Sequence, residues 1–82
     1  MARKNTILLV EDEPAVRQGT EQFLRQQGFT VLTATSGEEA LEKFARANVI
    51  ILDIMLPGMS GIETLHQIRQ TSDVPVLMLT AL

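Results

Sequence analysis

The sequence predicts a parallel α/β sheet, and two observations lead to this prediction. Short apolar runs alternate with segments of helical periodicity along the whole chain, an order typical of α/β proteins. Gly28, the turn segment 56–61 and the polar residues 71–73 lie between these elements, where turns are expected. The predicted order is βαβαβαβ, with four strands and three helices.

The first strand is predicted at Thr6 to Val10, a β-branched and aliphatic run. Pro14 then suits the first position of a helix, where a missing N–H costs nothing. Gly28 lies where the end of that helix is expected. The helical spacing is carried by Val16, Thr20, Phe23 and Leu24, and Phe23 is expected to be a core aromatic.

A second strand, shorter and more polar than the first, is predicted at Thr30 to Ala34, as expected at the edge of a sheet. Ser36 and Glu39 are spaced as a capping box that opens the second helix. The inward face of this helix is predicted to carry Ala40, Leu41 and Phe44.

The third strand is predicted at Val49 to Leu52, a wholly apolar run typical of a central strand. The turn segment 56–61 follows, and its glycines, Gly58 and Gly61, are both available for positive φ. The third helix is marked by Ile62, Leu65 and Ile68. The fourth strand is predicted at Val74 to Leu79, with Pro75 tolerated near its start.

Composition excludes several classes of protein. The 82 residues fit a single domain, residues 1–82, and contain no Cys, which excludes disulfides, thiolate metal sites and thiol nucleophiles. The net charge of −3 without a basic cluster argues against a nucleic-acid partner. No apolar run approaches the roughly 20 residues of a membrane span, so we expect a cytoplasmic protein with no membrane partner.

Four chemically useful side chains follow the predicted strands. Glu11 and Asp12 come directly after the first strand, Asp53 ends the third and Thr80 ends the fourth. Right-handed crossovers place the carboxyl ends of parallel strands at one edge of the sheet, where ligands bind in this class of fold. We therefore expect these four side chains to lie close together.

Crowded carboxylates repel one another unless a cation lies among them, and Mg²⁺ prefers oxygen ligands. A carboxylate beside Mg²⁺ can act as a nucleophile towards a phosphoryl group, and the hydroxyl of Thr80 could then bind a phosphoryl oxygen. The alternative is structural, because Glu11, Asp12 or Glu13 could cap the helix that begins at Pro14.

Three motifs resemble the receiver domain of bacterial response regulators. The segment 7–13 resembles the opening of that family. The segment 49–61, V-I-I-L-D-I-M-L-P-G-M-S-G, resembles its phosphorylation site, with Asp53, Pro57 and Gly61 at the family spacing. The segment 75–81, P-V-L-M-L-T-A, resembles its fourth strand with the hydroxyl residue Thr80.

The resemblance implies a flavodoxin-like (CheY-like) sheet of strand order 2-1-3-4-5 and a phosphoacceptor role in two-component signalling. A sensor histidine kinase would transfer its phosphoryl group to Asp53 in a Mg²⁺-dependent reaction. Glu11, Asp12, Asp53 and the backbone carbonyl of Met55 would hold Mg²⁺, and Thr80 would be the switch hydroxyl. Beyond self-phosphorylation and self-dephosphorylation, the family implies no enzyme activity.

The chain departs from the family pattern after Leu82, where the family has a fifth strand and two further helices. Those elements supply a Lys that pairs with the phosphoryl group, whereas this chain has Lys4 and Lys43 alone. The join between the second helix and the third strand is also tight, with Asn48 as its clear separator. We therefore expect an incomplete, truncated receiver that dimerisation or segment exchange could complete.

Two functions from different classes follow, namely a phosphoacceptor receiver and a truncated, self-associating module (a domain-swapped homodimer) without signalling activity. A small phosphohydrolase is disfavoured because Met55 stands where such enzymes place an acid/base carboxylate. A nucleotide or flavin site is disfavoured because the 11–13 loop is acidic. His66 and the arginines Arg17, Arg25, Arg46 and Arg69 are expected to be solvated.

Overall fold

The computed structural model describes residues 5–79, which form a sheet flanked by helices. The strands are β1 (Thr6–Val10), β2 (Thr30–Ala34), β3 (Val49–Asp53) and β4 (Val76–Leu79). The helices are α1 (Pro14–Gln26), α2 (Gly37–Lys43), which runs into a 3₁₀ helix (Phe44–Arg46), and α3 (Gly61–Arg69). The order of elements is the predicted one. None of the helices within residues 5–79 is both long and apolar enough to cross a bilayer.

All strand pairs are parallel, and the strand order is β2-β1-β3-β4. The chain moves across the sheet in one direction from β1 to β2 and in the other from β2 to β3 and β4. Because such crossovers are right-handed, α1 lies on one face of the sheet and α2 and α3 lie on the other. The predicted parallel α/β sheet is thus confirmed.

The face covered by α2 and α3, which we call the core face, holds the main hydrophobic core. Its cluster of buried side chains draws on β1, β2, β3, α2, the β3–α3 loop and α3, and consists of Leu8, Val10, Ala34, Ala40, Ile50, Leu52, Leu56 and Ile68. Phe44 and Leu65 pack against the cluster, as the helical spacing predicted.

The face covered by α1, which we call the α1 face, is less well closed. The sheet residues Ile7, Leu9 and Val31 are buried there, but no residue of α1 itself is buried. The side chain of Phe23 is 58% exposed, so its prediction as a core aromatic is wrong. The physical reason is that α1 contacts β1 and β2, and within residues 5–79 no other helix packs on this face beside it.

The fourth strand begins at Val76, two residues later than predicted. Pro75 has no N–H to donate, yet its carbonyl accepts a hydrogen bond from the Ile50 N–H at 2.9 Å. Val76 packs against the core face, whereas Leu77 and Leu79 point to the α1 face and are 57% and 41% exposed.

The tight join between α2 and β3 closes within one chain. The 3₁₀ helix ends where the Ala47 N–H donates to the carbonyl of Phe44 at 3.0 Å. The next residue, Asn48, binds Thr6 twice. Its N–H donates to the Thr6 carbonyl, and its Oδ1 accepts the Thr6 N–H, each at 2.7 Å. These two bonds join the beginning of β3 to the beginning of β1.

Candidate functional site

The carboxyl edge of the sheet brings three acidic side chains together. In the parallel pairing of β1 with β3, Val10 lies opposite Leu52. The residues that follow each of them therefore lie side by side at the carboxyl edge of the sheet. Glu11, Asp12 and Asp53 each offer a carboxylate oxygen, and these oxygens lie within 4.8 Å of one another. We call these three residues the acidic pocket. Thr80, the fourth predicted site residue, lies outside the described residues.

Glu11 is the buried member of the acidic pocket. Its N–H donates to the carbonyl of Ala34 at 3.0 Å, which ties it to the end of β2. Its side chain is oriented by the Glu13 N–H, which donates to Glu11 Oε2 at 3.0 Å. Burial raises the pKa of Glu11 above its ordinary value, the Glu13 N–H opposes this, and the nearby charges of Asp53 and Asp12 raise it further.

Helix capping does not account for the acidic residues after β1. The N-cap of α1 is Glu13, and its side chain makes no capping hydrogen bond. Asp12 is exposed, and its carboxylate lies in the acidic pocket. Pro14 at the first helical position removes one N–H that a cap would otherwise satisfy. The carboxylates of Glu11 and Asp12 thus lie beside Asp53, although Glu11 Oε2 also accepts the N–H of the N-cap residue Glu13.

Arg17 is a residue that the sequence interpretation missed. Its guanidinium Nη1 donates to the backbone carbonyls of Glu11, at 3.0 Å, and Asp12, at 3.3 Å. It is half-buried, so its prediction as a solvated charge is wrong. The available signal was its position one turn after Pro14, from which a long side chain can fold back over the preceding loop.

Asp53 ends β3 and is held by the loop that follows. The Met55 N–H donates to Asp53 Oδ1 at 3.0 Å, which orients the carboxylate. The Ile54 N–H donates to the carbonyl of Leu79 at 3.0 Å and so continues the ladder with β4 for one residue. The Met55 side chain itself is 69% exposed, so the loop is open to solvent beside Asp53.

The two glycines of this loop serve different purposes. Gly58 has φ of 72°, as predicted for a turn. Gly61 does not have positive φ, so it does not use the conformational freedom that was available to it. It begins α3 directly against the end of β3, where a Cβ would overlap the carbonyl of Asp53 and lie 2.7 Å from the Cα of Ile54. Gly61 therefore allows α3 to approach the strand that carries Asp53.

The acidic pocket has the chemistry of a site for a hard divalent cation. Its donors are carboxylate oxygens, which Mg²⁺ prefers. Burial raises the pKa of Glu11, and the negative charges of Asp53 and Asp12 raise it further. Among residues 5–79 the ion pairs are Arg25–Glu21 and Lys43–Glu39, so no basic side chain of that region neutralises the pocket. The residues present therefore fit Mg²⁺.

Comparisons with known proteins agree with this arrangement. The response regulator receiver domain family matches residues 7–82. The transcriptional regulatory protein AfsQ1 of Streptomyces coelicolor is 44% identical over 78 residues, which are 93% of this chain and 35% of that protein. The sensory transduction protein RegX3 of Mycobacterium tuberculosis is also 44% identical, over 93% of this chain and 34% of that protein. The chain thus spans about a third of these curated relatives.

Solved structures show the same fold. The response regulator TrrA of Thermotoga maritima, in complex with Mg²⁺-BeF, superposes with a TM-score of 0.88 at 41% identity, over 95% of this chain and 70% of that one. The chemotaxis protein CheY4 of Vibrio cholerae gives a TM-score of 0.86 at 36% identity, over 93% and 68%. The sheet is a CheY-like receiver fold that is incomplete relative to the full receiver. The chain belongs to the response regulator receiver domain family.

Proposed function

We propose that this chain is the phosphoacceptor part of a two-component response regulator and that Asp53 receives the phosphoryl group. The observation that carries the proposal is the convergence of Glu11, Asp12 and Asp53 at the carboxyl edge of the sheet. The relative TrrA, at 41% identity, was solved with Mg²⁺ and a beryllofluoride group, which has the shape and charge of a phosphoryl group. A cytoplasmic sensor histidine kinase is the proposed donor.

The proposed reaction is a direct transfer between two side chains. A carboxylate oxygen of Asp53 attacks phosphorus in line with the P–N bond of a phosphohistidine, forming the P–O bond of an aspartyl phosphate. The P–N bond breaks, and its electron pair returns to the imidazole nitrogen of the donor. The Met55 N–H fixes Asp53 Oδ1 at 3.0 Å, which limits the carboxylate to one orientation before the donor arrives.

The proposed ligands of Mg²⁺ are Glu11, Asp12, Asp53 and the backbone carbonyl of Met55. When bound, Mg²⁺ would neutralise negative charge on the attacking carboxylate and on the phosphoryl oxygens. Thr80 is proposed to donate its hydroxyl to a phosphoryl oxygen. Lys43 is unsuited to that task, because its Nζ donates to the Thr33 carbonyl at 2.7 Å and pairs with Glu39 at 2.9 Å.

The test is incubation of the chain with Mg²⁺ and acetyl phosphate, followed by intact-mass measurement. We expect a mass gain of one phosphoryl group that hydroxylamine removes, since an acyl phosphate is labile to that nucleophile. Asp53→Asn should abolish the gain, and chelation of Mg²⁺ should do the same. This self-phosphorylation requires no enzyme and no kinase partner.

Asp73→Asn provides the matched control, because Asp73 is an exposed carboxylate in the loop before β4, at the opposite edge of the sheet. It should be phosphorylated like the unmodified chain. Equal mass gain in Asp53→Asn and in the parent chain would exclude Asp53 as the acceptor. No gain in any variant would refute the phosphoacceptor proposal for this chain.

A second candidate function is self-association, favoured by the exposed apolar side chains of the α1 face. Leu77 and Leu79 are 57% and 41% exposed, and on the same side Val16 and Phe23 of α1 are 50% and 58% exposed. Among the described strands β4 is an edge strand, so a second copy could add a strand beside it and cover these side chains.

Light scattering after size-exclusion chromatography tests this second candidate. We expect a dimer at micromolar concentration, and Leu77→Lys should convert it to a monomer because a charge would be buried in the contact. Ile62→Lys is the matched control, since Ile62 is 57% exposed but belongs to α3 on the other face. A folded monomer from the parent chain would refute self-association and leave the phosphoacceptor proposal untouched.

A further inference from the structure

One basic side chain contacts the loop of the acidic pocket without pairing with its carboxylates. Arg17 Nη1 donates to the carbonyl oxygens of Glu11 and Asp12, at 3.0 and 3.3 Å. Among residues 5–79 no ion pair of 4 Å or less joins Arg17 to a carboxylate; the pairs there are Arg25–Glu21 and Lys43–Glu39. No guanidinium or ammonium group of that region therefore competes with a cation for the carboxylates of the pocket.

The contacts of the β1–α1 loop show what Arg17 holds in place. Glu11 is fixed at three points, through its N–H to Ala34, through its side chain to the Glu13 N–H, and through its carbonyl to Arg17. Asp12 is exposed, and within the described part of the chain its hydrogen bond is the one from Arg17. The guanidinium thus supplies the hydrogen bond that the Asp12 carbonyl accepts.

We propose that Arg17 is a positioning residue of the acidic pocket. By bridging two successive carbonyls, it holds the carboxylates of Glu11 and Asp12 in place towards Asp53, and it thereby sets the affinity for Mg²⁺. The inference rests on the metal site of the proposed function. The planar guanidinium is suited to this task, because its donors have a fixed geometry that an ammonium group lacks. Groups that orient metal ligands typically affect metal affinity by about 10- to 100-fold.

The sign of the effect separates positioning from simple electrostatics. Arg17 carries a positive charge, so its removal would by Coulomb's law alone strengthen the binding of Mg²⁺. Loss of positioning would weaken that binding. A variant without the guanidinium therefore gives opposite results under the two explanations.

The experiment is calorimetric titration of the chain with Mg²⁺, together with Mg²⁺-dependent amide chemical shifts of Glu11 and Glu13. Arg17→Met should weaken Mg²⁺ binding by about tenfold, and Arg17→Lys should restore part of the loss. Arg69→Met is the matched control. Arg69 Nη1 also donates to two carbonyls, those of Ser72 and Val74, at 3.2 and 2.7 Å, but at the opposite edge of the sheet.

Arg69→Met should lose stability to unfolding and keep its affinity for Mg²⁺. At saturating Mg²⁺ the rate of phosphorylation of Arg17→Met by acetyl phosphate should approach that of the parent chain, since the defect lies in metal binding. Tighter Mg²⁺ binding by Arg17→Met, or the same affinity as Arg69→Met, would overturn the proposal. If Arg17→Met does not fold, Arg17→Lys decides, and parental affinity in that variant would overturn the proposal.

If the parent chain binds no Mg²⁺, the proposed metal site and the proposed role of Arg17 are both refuted. Parental Mg²⁺ binding that does not respond to Arg17 would remove the role of Arg17 alone. Asp53-dependent phosphorylation is measured separately by mass. Because it requires Mg²⁺, it would fail together with the metal site, but it would persist at saturating Mg²⁺ if the role of Arg17 alone were refuted.

Discussion

The two faces of the same sheet differ in how completely they are closed. On the core face, Leu8, Ile50, Leu52 and Ile68 have no exposed surface. On the α1 face, no residue of α1 is buried, and Leu77 is 57% exposed. Both faces are apolar in sequence, so composition does not explain the difference. The difference is explained by the number of helices that pack on each face. The hydrophobic character of a residue alone therefore does not predict whether it is buried.

The largest contrast is expected between two leucines on opposite faces. Leu8→Ala should cost about 3 kcal/mol of unfolding free energy, because it removes a fully buried side chain and leaves a cavity. Leu77→Ala should cost less than about 1 kcal/mol, since more than half of that side chain already contacts water. Urea unfolding followed by circular dichroism measures both. A Leu77→Ala cost equal to that of Leu8→Ala would mean that the α1 face is covered in solution.

Two glycines give the next contrast. Gly61→Ala should destabilise the chain by roughly 2 kcal/mol, because its methyl group would overlap the backbone at the end of β3. It should also weaken Mg²⁺ binding, since that backbone carries Asp53. Gly19→Ala lies within α1, where an added Cβ meets nothing within 4 Å, and it should stabilise the chain by about 0.5–1 kcal/mol. Thermal unfolding compares the two variants, and destabilisation by Gly19→Ala would contradict the open α1 face.

The N-caps of the helices also differ between the two faces, with a smaller expected effect on stability. Ser60 caps α3 by accepting the Glu63 N–H at 3.1 Å, whereas Glu13 at the start of α1 makes no capping bond through its side chain. Ser60→Ala should therefore cost about 1 kcal/mol, and Glu13→Ser should add up to about 1 kcal/mol. Denaturant unfolding measures both. A stability loss in Glu13→Ser would show that the side chain of Glu13 supports α1 in another way.

The smallest expected effect depends on pH. Hydrogen bonds from Lys43 and from the Thr35 N–H lower the pKa of Glu39 from 4.5 to about 2. Because the folded pKa is the lower one, Glu39 stabilises the fold above pH 4.5 and loses this contribution as the pH falls towards 2.

Melting temperatures of the parent chain and of Glu39→Gln should therefore differ at neutral pH and converge over that acidic range. Glu21→Gln on α1 is the control, since it breaks the exposed i, i+4 pair with Arg25, which contributes only about 0.3 kcal/mol. A Glu39→Gln difference that is constant with pH would contradict the lowered pKa.

The sequence predicted those features that local chemistry determines. The bounds of β1 and β2, the start of α1 at Pro14 and the Ser36 cap follow from residues that are neighbours in the chain. The convergence of Asp53 with the residues after β1 could also be predicted, because parallel strands end at a common edge.

Features that depend on distant residues could not be predicted in this way. The exposure of Phe23 depends on which helices share a face, and Gly61 is required by the approach of α3 to β3 rather than by a turn. Arg17 contacts backbone carbonyls, which every residue has and which therefore leave no pattern in the sequence. The side-chain amide of Asn48 replaces a backbone partner for Thr6, and the sequence gives no periodic signal for such a bond.

The two bonds between Asn48 and Thr6 join residues 42 positions apart at the end of the sheet farthest from the acidic pocket. A shift of one residue between β1 and β3 would move Asp53 by about 3.3 Å along the strand and turn it to the other face. The spacing of the carboxylates is thus sensitive to an alignment made at the other end of β3. A change at Asn48, remote from the pocket, would therefore impair the proposed metal binding through misalignment while every acidic residue stays in the chain.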